Sequence, residues 1–382
     1  MRVKDILHLS VCVYLFSFSL IGCTPRKRNE GDLIHINVRR THPIKEIRLE
    51  EIASIEFLQL KTHEVFLFRE MPQVVTDNKV IISERSTGDI LTFSRDGEPL
   101  SVFNRRGNGP EEYTRVHRLI YDENSNELFI MSDGRIVVYS ISGKFRRAFS
   151  LLEEAPIRVL ASFNSETLIL YDHWETYPAP FMLISKKDGE IIRTINMPRG
   201  ETIHPFYVIQ DEMSMTVITA PAHHIVKYNN GFLLTDFSLD TVFFLSQNKE
   251  LTPILTRSPA IQSMSTITYL NSFVEAGNYQ FFSTVTLRNE NNKLPITYLM
   301  RNKTTGLVYR QRITFDDFRG REIFLSPTII ARTQNSRLGL ISLDLTELQD
   351  ANDEGRLSGR LREIVEKSEE DGNNVFMLLH FK

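Results

Sequence analysis

Aromatic, acidic and imidazole side chains crowd into one short stretch, Tyr171-Asp172-His173-Trp174-Glu175-Thr176-Tyr177, which also holds the single tryptophan of the chain. Rings beside a carboxylate and an imidazole suit a sugar or another polar ring, through stacking plus hydrogen bonds. Asp172, His173, Trp174 and Tyr177 are therefore the candidate ligand-binding residues; the structural alternative is a long hairpin whose aromatics shield a sheet edge. His223-His224 is a poor chelate, because adjacent strand residues point to opposite faces. A metal would need His117, His173 or His204 brought in from elsewhere, and with no HExxH or CxxC no metal site is expected. Asp316-Asp317 and Glu111-Glu112 are paired in sequence only, whereas a glycosidase needs carboxyls about 5–10 Å apart in space; surface turn charges account for both pairs. Arg105-Arg106-Gly107-Asn108-Gly109-Pro110-Glu111-Glu112 has the glycines of a phosphate loop but not its Gly-Lys-Ser/Thr ending, and no Gly-x-Ser-x-Gly elbow is present. No catalytic residue and no cofactor is assigned.

The elements that must carry these residues are short strands. Glu127–Ser150 reads as three runs rich in β-branched and apolar residues, LFIM, RIVVYS and KFRRAFS, separated by Ser132-Asp133-Gly134 and Ser142-Gly143. That is an antiparallel meander. Related units recur at KVIIS/ILTFS/EPLSVFN and at TLILYD/FMLISK/EIIRTINM, and the turn glycines Gly97, Gly143 and Gly189 stand 46 residues apart. A fixed period of this size marks an array of sheets. Two looser units follow, with last turns near Asn248 and at Gly306. A sixth unit is expected to take two strands from IIARTQNSRLGLISL, a third from NVFMLLHFK and its fourth from IEFLQL near the N-terminus, so that the ring closes without an open edge. Between those segments LSGRLREIVEKSEE has helical spacing and predicts a helix capped near Ser358, inside a 344–370 insertion.

The chain starts MRVKDILHLSVCVYLFSFSLIGC, two basic residues and an apolar run ending in Leu20-Ile21-Gly22-Cys23. This fits a lipoprotein signal over 1–22, with Cys23 acylated and 23–44 a lipidated tether. The only other cysteine, Cys12, would leave with the signal, which excludes thiol chemistry from the mature chain. Of the 45 basic and 48 acidic residues, the mature chain would keep 43 and 47, interspersed in sign; that gives no footprint for nucleic acid. One propeller domain over 45–382 is the simplest organisation.

Several of these stretches together resemble the six-bladed β-propeller lipoproteins, related to NHL-repeat propellers, of gut-dwelling Gram-negative bacteria. The likeness rests on the lipobox, IEFLQL, ILTFSRDGEPLSVFNRRGNGPEEY and RLREIVEKSEEDGNNVFMLLHFK. Its sharpest part, Gly107, Gly109, Pro110, Glu112 and Tyr113, is similar to the family's G-x-G-P-G-E-Y turn between the first two blades; Glu111 replaces the usual glycine, and Asn373-Asn374 stands where the family has Asn-Pro. The resemblance implies the fold and no particular activity.

The expectation is therefore an all-β, six-bladed propeller, lipid-anchored in the cell envelope, on the outer membrane facing the periplasm. Thr24 after the cysteine is not the Asp of inner-membrane retention, and the basic tether lacks an acidic surface-export signal. The expected partners are membrane lipid, through Cys23, and a protein or carbohydrate ligand bound without catalysis. The alternative is a lyase or hydrolase acting on glycans or peptides at the channel mouth; a structural subunit of an envelope complex is a third reading.

Overall fold

The structure, a computed structural model, describes residues 33–382 apart from 62–64, 152–158, 173–176, 178, 199, 205, 211–214, 331–332, 334 and 370–371. The expected signal, Cys23 and the first part of the tether lie outside these residues. The described chain begins with β1 (Ile34–Asn37) and β2 (Ile44–Arg48), then a helical turn α1 (Leu49–Ile52) that leads into β3 (Ala53–Gln59). Four-stranded meanders follow. Blade 1 is β4 (Val74–Val75), β5 (Lys79–Ser83), β6 (Ile90–Ser94) and β7 (Pro99–Phe103), and blade 2 is β8 (Arg118–Asp122), β9 (Glu127–Ser132), β10 (Arg135–Ser140) and β11 (Phe145–Ser150). Blade 3 is β12 (Val159–Ser162), β13 (Thr167–Tyr171), β14 (Phe181–Ser185) and β15 (Ile191–Ile195).

A separate hairpin, β16 (Phe206–Gln210) and β17 (Met215–Thr219), precedes blade 4, which is β18 (Ile225–Tyr228), β19 (Gly231–Leu234), β20 (Thr241–Leu245) and β21 (Leu251–Ser258). Blade 5 is β22 (Thr268–Ala276), β23 (Tyr279–Thr286), β24 (Ile296–Asn302) and β25 (Val308–Thr314). Blade 6 is β26 (Leu338–Leu343), β27 (Val375–Phe381) and, on its outer side, β3. The six sheets form a six-bladed β-propeller.

Closure is as the sequence predicts. β27 pairs antiparallel with β3, from Val375↔Gln59 to Phe381↔Ala53. Leu338, Leu340, Phe376 and Leu378 of the last blade share a core with Val80, Ile82, Leu91 and Phe93 of the first, which buries both flanks of the join. The N-terminal segment does more than close the ring. β1 adds to β21, with Ile34 opposite Leu255, and β2 adds to β25, with Ile44 opposite Arg310, both in parallel. Blades 4 and 5 thus gain a fifth strand that covers their outer edges.

Of IIARTQNSRLGLISL, Ala331, Arg332 and Gln334 lie outside the described residues, and among the described ones β26 is the strand, with Pro327–Ile329 ahead of it a 3-10 turn. The Thr333 hydroxyl is within hydrogen-bond distance of the carbonyls of Ile330 (3.2 Å) and Asn335 (2.9 Å). The insertion holds two helices, α2 (Leu345–Asp353) and α3 (Gly359–Val365). Ser358 precedes α3 as expected, but its hydroxyl donates to the Asp316 carbonyl (2.9 Å). The cap comes from Asp317, whose carboxylate accepts from Leu361 N–H (3.2 Å). One member of the sequence-adjacent acid pair therefore anchors a helix.

The 46-residue period has a steric cause. Gly97, Gly143 and Gly189 all have positive φ, +85°, +81° and +80°, in the turn between a blade's third and fourth strands. A Cβ on Gly143 would lie 2.5 Å from the Phe103 ring and one on Gly189 2.4 Å from the Phe149 ring. Each turn therefore nests on the outer strand of the preceding blade, and glycine is needed both for φ and for space. In blade 4 the corresponding turn uses Lys249, at φ +65°.

Candidate functional site

An antiparallel meander sends every turn between first and second strands, and between third and fourth, to one end of the propeller. At that end a cavity of about 500 Å³ opens along the axis. Its walls are the first strands of blades 1 to 4, with the segment before β26 completing them; Val75, Ile120, Leu160 and Ile225 supply apolar wall, and Thr333 and Asn335 contribute from blade 6. A shallower hollow beside it shares Asn229, Asn335 and Ser336 and extends over Gln247, Asn248 and Arg337.

Charge inside the cavity is arranged unevenly. Asp122, at the end of β8, is buried and bound to Lys186 Nζ of blade 3 (2.6 Å), which also donates to Ser162 Oγ (2.9 Å). That acid is thus neutralised across the blade 2–blade 3 boundary. Arg118 of β8 and Lys227 of β18 line the same cavity. Lys227 Nζ sits over the Phe232 ring, 4.5 Å from its centroid, a cation–π contact. Burial holds its pKa below the ordinary lysine value, and among the described residues no carboxylate lies within ion-pair distance of it. The remaining acids of the lining, Asp77 and Glu123, are exposed at the rim.

Asparagines surround the opening. Asn124, Asn164, Asn229 and Asn335 all line the cavity. Asn164 Oδ1 accepts from the N–H groups of Glu166 and Thr167 (2.9 and 2.8 Å), and Asn335 Oδ1 from Arg337 N–H (2.9 Å). The carboxamide oxygens thus close the turns, while the Nδ2 groups of these two residues donate to no described residue. The signal is in the sequence once the repeat is known: Asn78, Asn124, Asn164, Asn229 and Asn278 lie in the turns between first and second strands of blades 1 to 5, and Asn335 lies just ahead of β26 in blade 6.

The residues singled out by type lie elsewhere. Asp172 and Tyr177 are at the opposite end, in the loop between β13 and β14, and both are buried. Asp172 Oδ2 accepts from Tyr177 N–H (2.7 Å), which folds the loop on itself, and Tyr177 packs among Leu168, Leu170 and Met182. His173 and Trp174 lie outside the described residues. The histidines are dispersed. His117 Nε2 meets Asp133 (2.7 Å), His223 meets Thr328 (3.0 Å), and buried His224 bonds the Thr235 carbonyl (3.0 Å) while stacking on Tyr171 at 3.9 Å. His204 stacks near Phe206. Among the described residues no three His, Cys, Asp or Glu side chains group as metal ligands.

The Gly107–Tyr113 segment is a knot between blades 1 and 2. Tyr113 is fully buried; its hydroxyl donates to the Gly88 carbonyl (2.6 Å) and accepts from Arg105 N–H (3.1 Å). Burial pushes that hydroxyl up to about 12. Glu112 accepts from Gly109 N–H (2.8 Å), and a Cβ on Gly107 would overlap its carboxylate at 1.9 Å. Pro110 and Glu111 bridge the two, the Glu111 carbonyl accepting from Tyr139 Oη. Glu111 is not among the positive-φ residues, so its backbone has no need of the glycine found there in the similar motif.

A six-bladed ring with a polar axial cavity at its tight-turn end is the class of protein these features define. The chain belongs to the family described as Domain of unknown function (DUF4934), which matches residues 33–380. It is similar in structure to a Bacteroides fragilis NCTC 9343 protein described as exported, at 15% identity and TM-score 0.63, covering 92% of this chain and 99% of that one. It is also similar to a member of the DUF4221 family from Bacteroides vulgatus ATCC 8482, at 10% identity and TM-score 0.48, with 87% and 98% covered. A virginiamycin B lyase from Staphylococcus aureus matches at 12% identity and TM-score 0.34, over 67% of this chain and 97% of that one. No curated protein matches.

Proposed function

We propose that the protein is a lipid-anchored binding protein of the cell envelope and that its ligand occupies the axial cavity at the tight-turn end. The observation that carries this is the cavity itself: about 500 Å³, within the range of small-ligand sites, with apolar walls and a few convergent polar groups. Rigid blades hold those groups in place, as a binding site requires. The anchoring half of the proposal rests on the Leu20–Cys23 lipobox and is supported by the likeness to an exported protein. No helix among the described residues is long and apolar enough to cross a membrane, so Cys23 acylation is the proposed attachment, on the periplasmic side of the outer membrane.

Both halves are testable. Cys23→Ser is expected to move the protein from the membrane fraction to the soluble one and to abolish labelling by palmitate; retention in the membrane would contradict the anchor. Ser336→Trp fills the mouth from a side chain that lines both hollows. In native mass spectrometry of protein taken from its own envelopes, wild type should carry a small-molecule adduct that Ser336→Trp lacks. An adduct of equal occupancy in both would place the ligand elsewhere.

A second reading is favoured by the β16–β17 hairpin, which leaves Tyr207, Val208, Met215 and Val217 exposed. A surface of this kind suits a protein partner. Met215→Asp with Val217→Asp should release any protein that co-purifies with wild type, and an unchanged set of co-purifying proteins would remove this reading.

A further inference from the structure

If the axial cavity is the ligand site, as proposed above, the distribution of charge within it narrows the chemistry of the occupant. Two cations enter the space from non-adjacent blades, Arg118 from blade 2 and Lys227 from blade 4. The buried acid of the lining, Asp122, is already held by Lys186 at 2.6 Å. Lys227 is half-buried on β18, on the same side of the strand as the cavity-lining Ile225, with its ammonium over the Phe232 ring rather than against a carboxylate. A cation withdrawn from water without a counter-charge is costly. An anionic group on a ligand would lower that cost at Lys227 and gain charge-assisted hydrogen bonds there.

The rim adds a second requirement. Exposed Asp77 and Glu123 repel a polyanion, so one buried negative group fits better than several. The Asn164 and Asn335 amides, with Ser162, Ser165 and Ser336 beside them, present neutral donors and acceptors of the kind that read sugar hydroxyls. We propose that the cavity binds the acidic end of a short saccharide, its carboxylate directed at Lys227 and its hydroxyls at the asparagine rim.

Titration calorimetry on the detergent-solubilised lipoprotein tests this with four probes: digalacturonate, its methyl ester, the neutral disaccharide lactose, and inorganic phosphate. Digalacturonate is expected to bind, with the ester and lactose weaker by about tenfold or more, the scale of one lost charged hydrogen bond. Lys227→Met should weaken digalacturonate binding by a similar factor and leave the melting temperature close to that of wild type, because methionine keeps an apolar stem over Phe232 while removing a half-buried charge; this separates lost recognition from misfolding. Phosphate should compete weakly with digalacturonate. Equal binding of the acid and its ester, or a Lys227→Met variant that binds digalacturonate like wild type, would overturn the acidic-saccharide inference while leaving the cavity as a ligand site. Failure of digalacturonate to bind in a protein whose native-mass adduct is still lost in Ser336→Trp would do the same. Loss of the inference together with an adduct indifferent to Ser336→Trp would sink both.

Discussion

Lys186→Met is expected to lower the unfolding free energy by about 3–5 kcal/mol, the cost of leaving a buried charge without its partner. Lys186 Nζ is 2.6 Å from Asp122, and the two side chains are only 7% and 5% exposed, so water cannot replace the lost ammonium. The pair also bridges two blades: Lys186 directly follows the third strand of blade 3, and its carbonyl accepts from Arg147 of blade 2 (3.1 and 3.0 Å). Arg147 in turn grips both oxygens of Glu127 (2.7 and 2.8 Å). The double variant Lys186→Met with Asp122→Asn should recover a large part of the loss, since the orphaned charge is gone. Urea unfolding of the single and double variants measures this. A single variant within about 1 kcal/mol of wild type, the surface-pair range, would show that the pair is solvated and that the cavity carries a free acid after all.

Gly97→Ala is expected to cost about 2–5 kcal/mol, and Gly134→Ala only about 1–2 kcal/mol. Both glycines have positive φ, +85° and +76°, so each substitution incurs the left-handed penalty of about 1–2 kcal/mol. Their surroundings differ. A Cβ on Gly134 would meet nothing within 4 Å, whereas one on Gly97 would come 2.1 Å from the Gln59 carbonyl oxygen. That carbonyl ends β3, and Lys61 N–H donates to the Gly97 carbonyl (2.9 Å) just beyond it. The clash thus falls on backbone at the seam where the N-terminal strand closes the ring, which adds an overpacking cost of about 1–3 kcal/mol. Chemical denaturation of the two variants side by side isolates this steric part. Equal losses would mean that the seam yields and that the first blade does not depend on tight contact with β3.

The repeat was legible because its cause is local: Gly97, Gly143 and Gly189 are needed wherever a tight outer turn meets the neighbouring blade, and alternating runs such as IEFLQL have one face to bury. β1 and β2 were not legible, since parallel pairing across the ring leaves no turn signal and IHIN and IKEIR are too short and too polar to read as strands. As for the site, residue type favoured Asp172 to Tyr177, where functional side chains are dense. The axial cavity proposed as a ligand site is lined by Arg118 and Lys227, which sit in runs that read as ordinary core strands, and by asparagines that read as ordinary turn formers. Only the ring brings them to one mouth.

Hydrogen exchange on the wild-type protein, with and without a small-molecule extract of the envelopes of its own cells, tests the central claim most directly. Occupancy of the axial cavity predicts slowed exchange in the first turns of several blades at once, around Asp77, Asn124, Asn164 and Asn229, and around Asn335 ahead of β26, with the opposite end unchanged. Protection confined to the loop between Asp172 and Phe181, with the asparagine turns exchanging as before, would contradict it.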